Sequence, residues 1–396
     1  FLFTALLLIL AACGSAASTS APVPTVGTTP TVGTTPTTGV PVTTPSIPPE
    51  KSTPSPVTGG SKPIASLKGI RMLDTNNGWA LTAQAILKTV DGGVHWNDVT
   101  PANAELNAFA RGDFLNIQDA WIAIPPPQQI EGPGITVLHT IDGGTSWQHE
   151  KINDPAVATI DVPHFLNAQQ GWLEASSSPG AGHAGSDIWH TTDGGQTWTK
   201  IASNAGGSGL TLGYVTGISF QDAQTGIATG NLGAGGENSL PSVSITHDGG
   251  KTWHTDSLPH LLGGYTVTMN TSEPPVFFGN TVVMPVNVAT DSGNLLVLYH
   301  SNTSGRIWYQ TSVVHIQSEN TYVLDPSHAW TTDTQSGQLY NTTNGGTIWF
   351  PISTIAYNLQ ALSFADASLG WGITSKTLLH TIDGGKTWQQ IDYTIQ

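Results

Sequence analysis

Short apolar runs alternate with clusters of turn-forming residues through most of the chain, from about residue 66 onward. Residues 218–220 (ISF) are typical: Gln221 and Asp222 follow them, and the next apolar run starts at Gly226. Apolar runs of roughly four to eight residues, bounded by Gly, Asp, Asn or Ser, predict β-strands. This part of the chain is therefore predicted to be all-β, with many short strands joined by tight turns.

An octapeptide of the form T-x-D-G-G-x-x-W recurs along the same region. Its Asp side chain can accept backbone N–H groups across a turn, and its glycines supply the positive φ that a tight hairpin needs. The Trp then begins the next strand and places a large apolar side chain between layers. The octapeptide therefore predicts a β-hairpin. Its five close copies are residues 89–96, 140–147, 191–198, 246–253 and 381–388, and its two degenerate copies, with Thr303 and Asn344 in place of Asp, are residues 301–308 and 342–349.

A second marker, usually Gly-Trp or Ala-Trp, precedes each octapeptide. A further apolar strand that ends in Asp or Asn comes before the marker. Each unit therefore contains strand A, a turn, strand B with the marker, strand C, the octapeptide hairpin and strand D. Four strands in roughly 47 residues match one blade of a β-propeller, so seven units predict an all-β, seven-bladed β-propeller of four-stranded antiparallel blades. The markers are Gly78-Trp79, Ala120-Trp121, Gly171-Trp172, Gly226-Ile227, Thr281-Val282, Ala329-Trp330 and Gly370-Trp371.

These motifs carry a resemblance to a known family. The octapeptide is the Asp-box, also called the BNR repeat, and together with the D-x-x-x-G-W-A pattern it resembles the photosystem II assembly/stability factor-like propellers over residues 66–396. That family assists assembly of the photosystem II reaction centre by binding its precursor protein, so the resemblance implies a protein-binding or assembly scaffold. It also implies that the box aspartates are structural and not catalytic: Asp91, Asp142, Asp193, Asp248 and Asp383.

A carbohydrate-active propeller of sialidase or glycosidase type is the alternative function. Similar boxes occur in sialidases, sortilin-type receptors and xyloglucanases, so the repeat specifies fold more strongly than function. Sialidases bind a carboxylate with three arginines. This chain has three arginines in all, Arg71, Arg111 and Arg306, and Arg306 lies inside a box, at the end of a blade and not facing the channel. Glycoside hydrolysis needs two carboxylates at the right separation, but no motif marks such a pair. We therefore expect no catalytic residue.

The first 13 residues resemble a bacterial lipoprotein signal. Residues 1–12 are apolar but fall short of the roughly 20 residues that span a bilayer. Residues 10–13 (LAAC) resemble the lipobox, and Cys13 is the only cysteine of the chain; an ordinary cleaved signal is the alternative. Residues 14–65 are rich in Thr, Pro and Gly and predict a disordered stalk. We expect the domain at the outer face of the cytoplasmic membrane, anchored through lipid on Cys13.

Charge and composition exclude several classes of protein. With 12 Lys and Arg against 27 Asp and Glu, the net charge is −15, which argues against a nucleic-acid partner. A single cysteine excludes an internal disulfide framework and a cysteine-based zinc site. Histidines precede four boxes at equivalent positions of different blades, away from the axis, so we expect repeat inheritance and neither a metal site nor a cofactor: His139, His190, His300 and His380.

The inner strands supply the first candidate binding site. Eight residues before the second residue of each marker, a polar column aligns on strand A. Alternate side chains of a strand share a face, so this column is predicted to line the central channel. There it would bind a ligand; the plainer interpretation is a solvated pore. The candidate residues are Arg71, Asp113, His164 and Tyr322.

Loop lengths supply the second candidate. From marker to box Trp the distances are 17, 26, 26, 26, 26, 19 and 17 residues. Blades 2 to 5 are therefore predicted to carry long loops between strands B and C. These loops would form a crescent on the face opposite the boxes, where repeat proteins often bind partners, although surface loops also lengthen by drift. The candidate residues are Glu131, His183, Asp187, Glu237 and Asp291.

The ring is predicted to close without strand exchange, because blade 1 begins with its own strand A and blade 7 ends with its own strand D. We expect a monomer. Its partner is expected to be a protein or a surface glycan.

Overall fold

The computed structural model describes residues 66–127, 131–180, 183–233, 240–261, 263–353 and 355–396. Within them the chain forms seven sheets of four or five strands. The prediction of an all-β, seven-bladed propeller is confirmed. The predicted signal with Cys13, the predicted stalk and Glu237 lie outside the described residues. No helix among the described residues is long and apolar enough to cross a membrane.

Each blade runs from an inner strand A to an outer strand D, and strands A to D pair in that order. Blade 1 contains β1 (Gly69–Met72), β2 (Gly78–Leu81), β3 (Ile86–Thr89) and β4 (His95–Asp98), and blade 2 contains β5 (Arg111–Phe114), β6 (Ala120–Ile124), β7 (Ile135–Thr140) and β8 (Gln148–Ile152). Blade 3 contains β9 (Thr159–Ile160), β10 (His164–Phe165), β11 (Gly171–Ser176), β12 (Ser186–Thr191) and β13 (Thr199–Ser203), and blade 4 contains β14 (Tyr214–Phe220), β15 (Gly226–Asn231), β16 (Pro241–Thr246) and β17 (His254–Ser257).

The remaining blades follow the same order along the chain. Blade 5 contains β18 (Val267–Ser272), β19 (Val276–Phe278), β20 (Thr281–Thr290), β21 (Gly293–Ser301) and β22 (Tyr309–Gln310). Blade 6 contains β23 (Thr321–Val323), β24 (Ala329–Thr332), β25 (Leu339–Thr342) and β26 (Phe350–Pro351). Blade 7 contains β27 (Ala361–Phe364), β28 (Gly370–Ile373), β29 (Leu378–Thr381) and β30 (Gln389–Ile391), and the chain continues into β31 (Thr394–Ile395). Strand A is in two pieces in blades 3 and 5, where β9 and β10 both pair with β11, and β18 and β19 both pair with β20.

The marker tryptophans form the core between blades. Trp79 pairs with Arg71 on β1 and with Lys88 on β3, so the marker lies at the centre of its blade. The side chain of Trp121 is fully buried, and its ring stacks on that of Phe165 in blade 3 at a centroid distance of 3.8 Å. The apolar core therefore lies between neighbouring blades, where each tryptophan fills the space between two sheets.

Each intact box folds as a hairpin closed by its own aspartate. In blade 2, Asp142 Oδ1 accepts hydrogen bonds from the Thr140 hydroxyl and the Ser146 N–H, both at 2.9 Å. The two box glycines have positive φ, 70° at Gly143 and 88° at Gly144, which an L side chain rarely adopts. The Gly143 N–H donates to a carbonyl in the turn between strands A and B at 2.9 Å. Boxes and A–B turns therefore share one face, and the B–C connections lie on the opposite face, as predicted.

Indole N–H groups join the blades to one another. Trp121 donates to Gly194 O in the box of blade 3 at 2.8 Å. Trp371 of blade 7 donates to Gly92 O in the box of blade 1 at 2.9 Å, which closes the ring. Blade 5 lacks a marker tryptophan, and His300 instead donates from Nε2 to the box of blade 6 at 2.8 Å. In blades 2, 3, 6 and 7 the marker tryptophan thus bonds to the box of the following blade, which explains why marker and box recur together there.

Blade 5 corrects one prediction. Strands β20 and β21 have ten and nine residues, and only residues 291 and 292 connect them. The extra residues lengthen the strands, so the predicted long loop of blade 5 is wrong. Val286, Val288 and Leu295 bury this lengthened hairpin in an apolar cluster with blade 4. The B–C connections of blades 2, 3 and 4 are long, at residues 125–134, 177–185 and 232–240.

The contact between blades 7 and 1 also differs from the prediction. Strand β31 pairs in parallel with β4, with Thr394 opposite His95. The N–H groups of Thr394 and Gln396 donate to the carbonyls of Val94, just before β4, and Trp96 at 3.0 and 2.9 Å, and the Asp98 N–H donates to Gln396 O at 3.0 Å. Blade 1 keeps its own strand A and blade 7 its own strand D, but the prediction that the ring closes without strand exchange is wrong, because β31 from the end of the chain adds to blade 1.

Candidate functional site

The polar column on the inner strands joins the blades around the channel. Four of its members, among them Ser363, which lies eight residues before Trp371 in blade 7, bond to the backbone of the following blade, so these side chains have partners within the protein. The bonds are Phe165 N–H to Asp113 Oδ2 at 2.7 Å, His164 Nε2 to Phe220 O at 2.9 Å, the Tyr322 hydroxyl to Phe364 O at 2.8 Å and Met72 N–H to Ser363 Oγ at 2.9 Å.

Three of the four predicted channel residues line one cavity. Arg71, Asp113 and Tyr322 surround a space of about 750 Å³, together with Lys68 and Arg111. His164 shares the column but does not line this space. Because most of the lining comes from the first residues of the inner strands, the cavity lies toward the face of the B–C connections. Its volume falls in the range of pockets that hold a small ligand or a few residues of a peptide.

Two guanidinium groups and two carboxyl groups define the electrostatics of the cavity region. Arg71 Nη1 donates to the Tyr322 hydroxyl at 3.1 Å. Burial raises the pKa of Asp113 to about 6, against the opposing effects of the Phe165 N–H and the Arg71 charge. Burial likewise raises the pKa of Asp161 to about 6, opposed by backbone hydrogen bonds and the charge of Arg111. The two carboxylates therefore lose their charge below about pH 6.

Sequence reasoning missed Arg111 and Asp161. Arg111 precedes Asp113 by two residues on β5, so the alternation of strand side chains places both on one face, and this signal was available. Asp161 follows β9, a separate two-residue piece of the inner strand of blade 3, which the alignment on the markers skips. Its Oδ2 accepts the Ile218 N–H of blade 4 at 3.2 Å.

Two glutamates were also missed. Glu174 on β11 is 3% exposed, and the Ser176 hydroxyl donates to its Oε1 at 2.5 Å. Burial raises its pKa to about 8. Burial also raises the pKa of Glu273 in blade 5 to about 8, although its Oε1 accepts the Thr321 N–H at 2.9 Å. Every residue of β11 is buried. The strand therefore lacks the alternation of buried and exposed positions by which an inward-facing glutamate could have been recognised.

The predicted crescent residues have separate environments. Glu131 is exposed in the connection of blade 2, and His183 forms an isolated bridge with Gly180 in the connection of blade 3. Asp187 lies on β12, where its carboxylate pairs with Lys200 Nζ at 2.5 Å. Asp291 occupies the short turn of blade 5. The described part of the crescent is thus confined to blades 2 to 4.

The histidines that precede boxes pack against marker tryptophans in three blades. Burial lowers the pKa of each of these histidines, which favours the neutral ring. Among the described residues, no group of three or more His, Cys, Asp or Glu is placed to hold a metal ion. The ring-centroid distances are 4.3 Å for His139 and Trp121, 4.7 Å for His190 and Trp172, and 5.0 Å for His380 and Trp371.

Seven blades with hairpins of this kind define the class of Asp-box β-propellers, and residues 244–255 match the BNR/Asp-box repeat family. The photosystem II assembly lipoprotein Ycf48 of Synechococcus sp. (strain CC9902) is 27% identical over 142 residues, which cover 35% of this chain and 38% of that protein. The match thus spans well under half of the relative's length. Over this segment the chain is similar to Ycf48, and the predicted resemblance to the photosystem II assembly factor-like propellers is confirmed.

Solved structures agree on the fold. The structure of YCF48 bound to D1 peptide has 16% identity and a TM-score of 0.53, covering 80% of this chain and 93% of that one. YCF48 from Cyanidioschyzon merolae has 17% identity and a TM-score of 0.51, covering 84% and 98%. The GH74 xyloglucanase from Xanthomonas campestris has 13% identity and a TM-score of 0.54, covering 83% of this chain and 55% of the enzyme. At such identities these similarities show the fold alone.

Proposed function

We propose that this chain is a lipid-anchored, extracytoplasmic scaffold that binds a segment of a partner protein, as an assembly factor does. Two comparisons support the proposal: a distant homologue is an assembly lipoprotein, and a structural relative has been solved with a peptide bound. Each finding describes the relative, so the partner of this chain has to be identified by experiment.

The channel cavity is the proposed binding site, and its geometry is the observation that carries the proposal. It is lined by Lys68, Arg71 and Arg111, three of the ten basic residues from residue 66 onward. Arg71 and Arg111 are exposed, so both guanidinium groups can reach a ligand. A short acidic or carboxylate-bearing peptide segment suits such a site, because guanidinium groups bind carboxylates in a bidentate manner.

A capture experiment tests this site. The full chain serves as bait for solubilised membrane proteins of its source organism, beside an Arg71→Gln/Arg111→Gln variant. Lys251→Gln/Lys386→Gln is the control, because it removes the same charge from exposed positions on two box hairpins, at the opposite face. We expect the control to retain the captured protein and the arginine variant to lose it.

Equal capture by both variants would exclude the cavity as the site. A glycan array run in parallel tests the carbohydrate-active alternative. Specific glycan binding that depends on the arginines, without protein capture, would replace the present proposal.

The anchor is tested separately. Lipid on Cys13 would hold the stalk and the propeller at the membrane surface, and diacylation or more is needed, since one acyl chain gives only marginal binding. Wild type is expected to partition into the detergent phase and Cys13→Ser into the aqueous phase. Identical partitioning of the two proteins into water would contradict lipidation.

A further inference from the structure

Boxes 5 and 6 differ from the others at the same two positions, the residues on either side of the box tryptophan. In blades 5 and 6 these residues are apolar and exposed: Ile307 is 68% exposed, Tyr309 47%, Ile348 49% and Phe350 53%. In the five intact boxes the same positions are polar, namely His95 and Asn97, Ser146 and Gln148, Thr197 and Thr199, Thr252 and His254, and Thr387 and Gln389.

The loss of the box aspartate explains why the first of these positions became free to change. In box 3 the Thr197 hydroxyl donates to Asp193 Oδ2 at 2.7 Å, so a polar residue is required there. In box 5 the Thr303 hydroxyl oxygen accepts the backbone N–H of Ile307 at 2.9 Å and bonds to the Ser301 hydroxyl at 3.1 Å, and it has no second oxygen to accept a side-chain donor at position 307. Freedom alone does not predict large exposed apolar side chains at both positions of two consecutive blades, because exposed apolar area is disfavoured without a partner.

Blade 1 shows what the outer edge of a blade accepts. There β31 adds to β4 by hydrogen bonds to the carbonyls of Val94 and Trp96 and from the N–H of Asp98. Counted from the box tryptophan, the same groups in blade 5 are Arg306 O, Trp308 O and Gln310 N–H.

The outer edge of blade 5 offers the same backbone groups for pairing as the edge of blade 1 does. The Thr311 N–H donates to Leu298 O at 2.9 Å, so the alternation of antiparallel pairing directs the Gln310 N–H away from β21. In blade 6 the corresponding residue is Pro351, which has no N–H to donate. Strand addition of the β31 type is therefore possible on blade 5 and impaired on blade 6.

The apolar side chains lie beside this edge. Tyr309 stacks on His300 at a centroid distance of 5.6 Å, and His300 in turn donates to Gly345 O in the hairpin that carries Ile348. We propose that the outer edge of blade 5 binds an extended strand of a partner protein, which adds to β22 as β31 adds to β4 and packs apolar side chains on Ile307, Tyr309 and Ile348. This site is distinct from the channel cavity.

A peptide with the sequence of residues 390–396 (QIDYTIQ) is the probe, because this segment contains the strand that pairs with β4. Labelled with a fluorophore, it is titrated with the full chain, whose blade 1 edge is already covered. We expect saturable binding that Ile307→Thr/Tyr309→Thr, the residue pair of blade 3, weakens at least tenfold. Ile382→Thr is the control, because Ile382 is 70% exposed on the hairpin of blade 7, and it should bind as wild type does.

Two further measurements make the outcome decisive. The same peptide with Thr394→Pro lacks the N–H that donates to Val94 O, so it should bind at least tenfold more weakly. Arg71→Gln/Arg111→Gln should bind the probe normally, which separates this site from the channel site. Melting temperatures verify that each variant is folded. No saturable binding to wild type, equal binding by Ile307→Thr/Tyr309→Thr, or equal binding of the proline peptide would overturn the proposal.

Discussion

At the scale of single residues, burial and local hydrogen bonding divide the acids of this chain into two groups. Box aspartates receive several donors at exposed or half-buried positions, and the pKa of Asp142 falls to about 2, chiefly through its hydrogen bonds with Ser146. Glu174 and Glu273 are enclosed, and burial raises their pKa to about 8. Opposite shifts give opposite pH dependence: the box bonds weaken in acid, whereas the enclosed glutamates destabilise the fold as the pH rises.

Replacing Glu174 isolates the second effect. Unfolded, Glu174 releases its proton near its ordinary pKa of 4.5, whereas folded it keeps the proton until about pH 8. Between these values the folded state binds more protons, so its contribution to stability falls as pH rises, by up to about 1.4 kcal/mol per pH unit. Glu174→Gln is expected to remove this slope. In urea unfolding, the free energy of unfolding of the variant should therefore rise relative to that of wild type from pH 5 to pH 8. Parallel pH profiles would contradict a buried protonated carboxyl.

A graded replacement of Asp193 measures what the box carboxylate contributes. Asn344 already occupies this position in box 6, where its Oδ1 accepts the Ile348 N–H at 2.9 Å. Asp193→Asn should therefore keep the backbone bond and lose about 1 kcal/mol, and Asp193→Ala about 2 kcal/mol. Thermal and urea unfolding provide the measurement. Loss of partner capture by Asp193→Ala at unchanged stability would instead indicate a binding role.

At the scale of elements, local sequence predicted hairpins well and nonlocal pairing poorly. The box hairpins followed from the Asp and Gly requirements of one turn, which eight residues contain in full. The two-residue strand β31 owes its existence to β4, about 300 residues earlier in the chain, and nothing within its own sequence marks it as a strand. The B–C connection of blade 5 was predicted wrongly for a related reason. Blade 5 has no marker tryptophan, so its sequence did not indicate whether the extra residues lengthened a loop or the two strands β20 and β21.

Removing residues 394–396 tests how much β31 contributes to closing the ring. The deletion removes three backbone hydrogen bonds and the packing of Ile395 in the core beside Trp96. We expect a loss of about 2 kcal/mol in stability, taking roughly 0.5–1.5 kcal/mol for each hydrogen bond. Hydrogen exchange of the Asp98 N–H should accelerate, while amides of blade 4 serve as the internal control. Unchanged exchange at Asp98 would show that the seam is held by the Trp371 bond and side-chain packing alone.

At the scale of the whole molecule, the repeat determined the architecture but not the chemistry of the channel. Seven copies of one hairpin predict seven blades because each copy buries its apolar face against the next. The channel depends on side chains from different blades, as when Arg71 of blade 1 reaches Tyr322 of blade 6 at 3.1 Å. Column alignment could place such residues on one strand face. It could not show that Asp113 and His164 bond to the neighbouring blade, since the next blade's backbone is not visible in one repeat.

The described ends of the long connections of blades 2 to 4 lie on the same face as the cavity, so we expect these connections to extend the partner site. Blade 7 offers a natural replacement: residues 374–377 join β28 to β29 in a turn closed by the Thr374 N–H and Thr377 O at 2.9 Å. Grafting this turn in place of residues 125–134, 177–185 and 232–240 should leave folding intact, because loop length costs little, roughly 0.6 kcal/mol for each doubling. Partner capture should weaken at least tenfold, measured beside Arg71→Gln/Arg111→Gln. Full capture by a folded, trimmed protein would confine the site to the cavity.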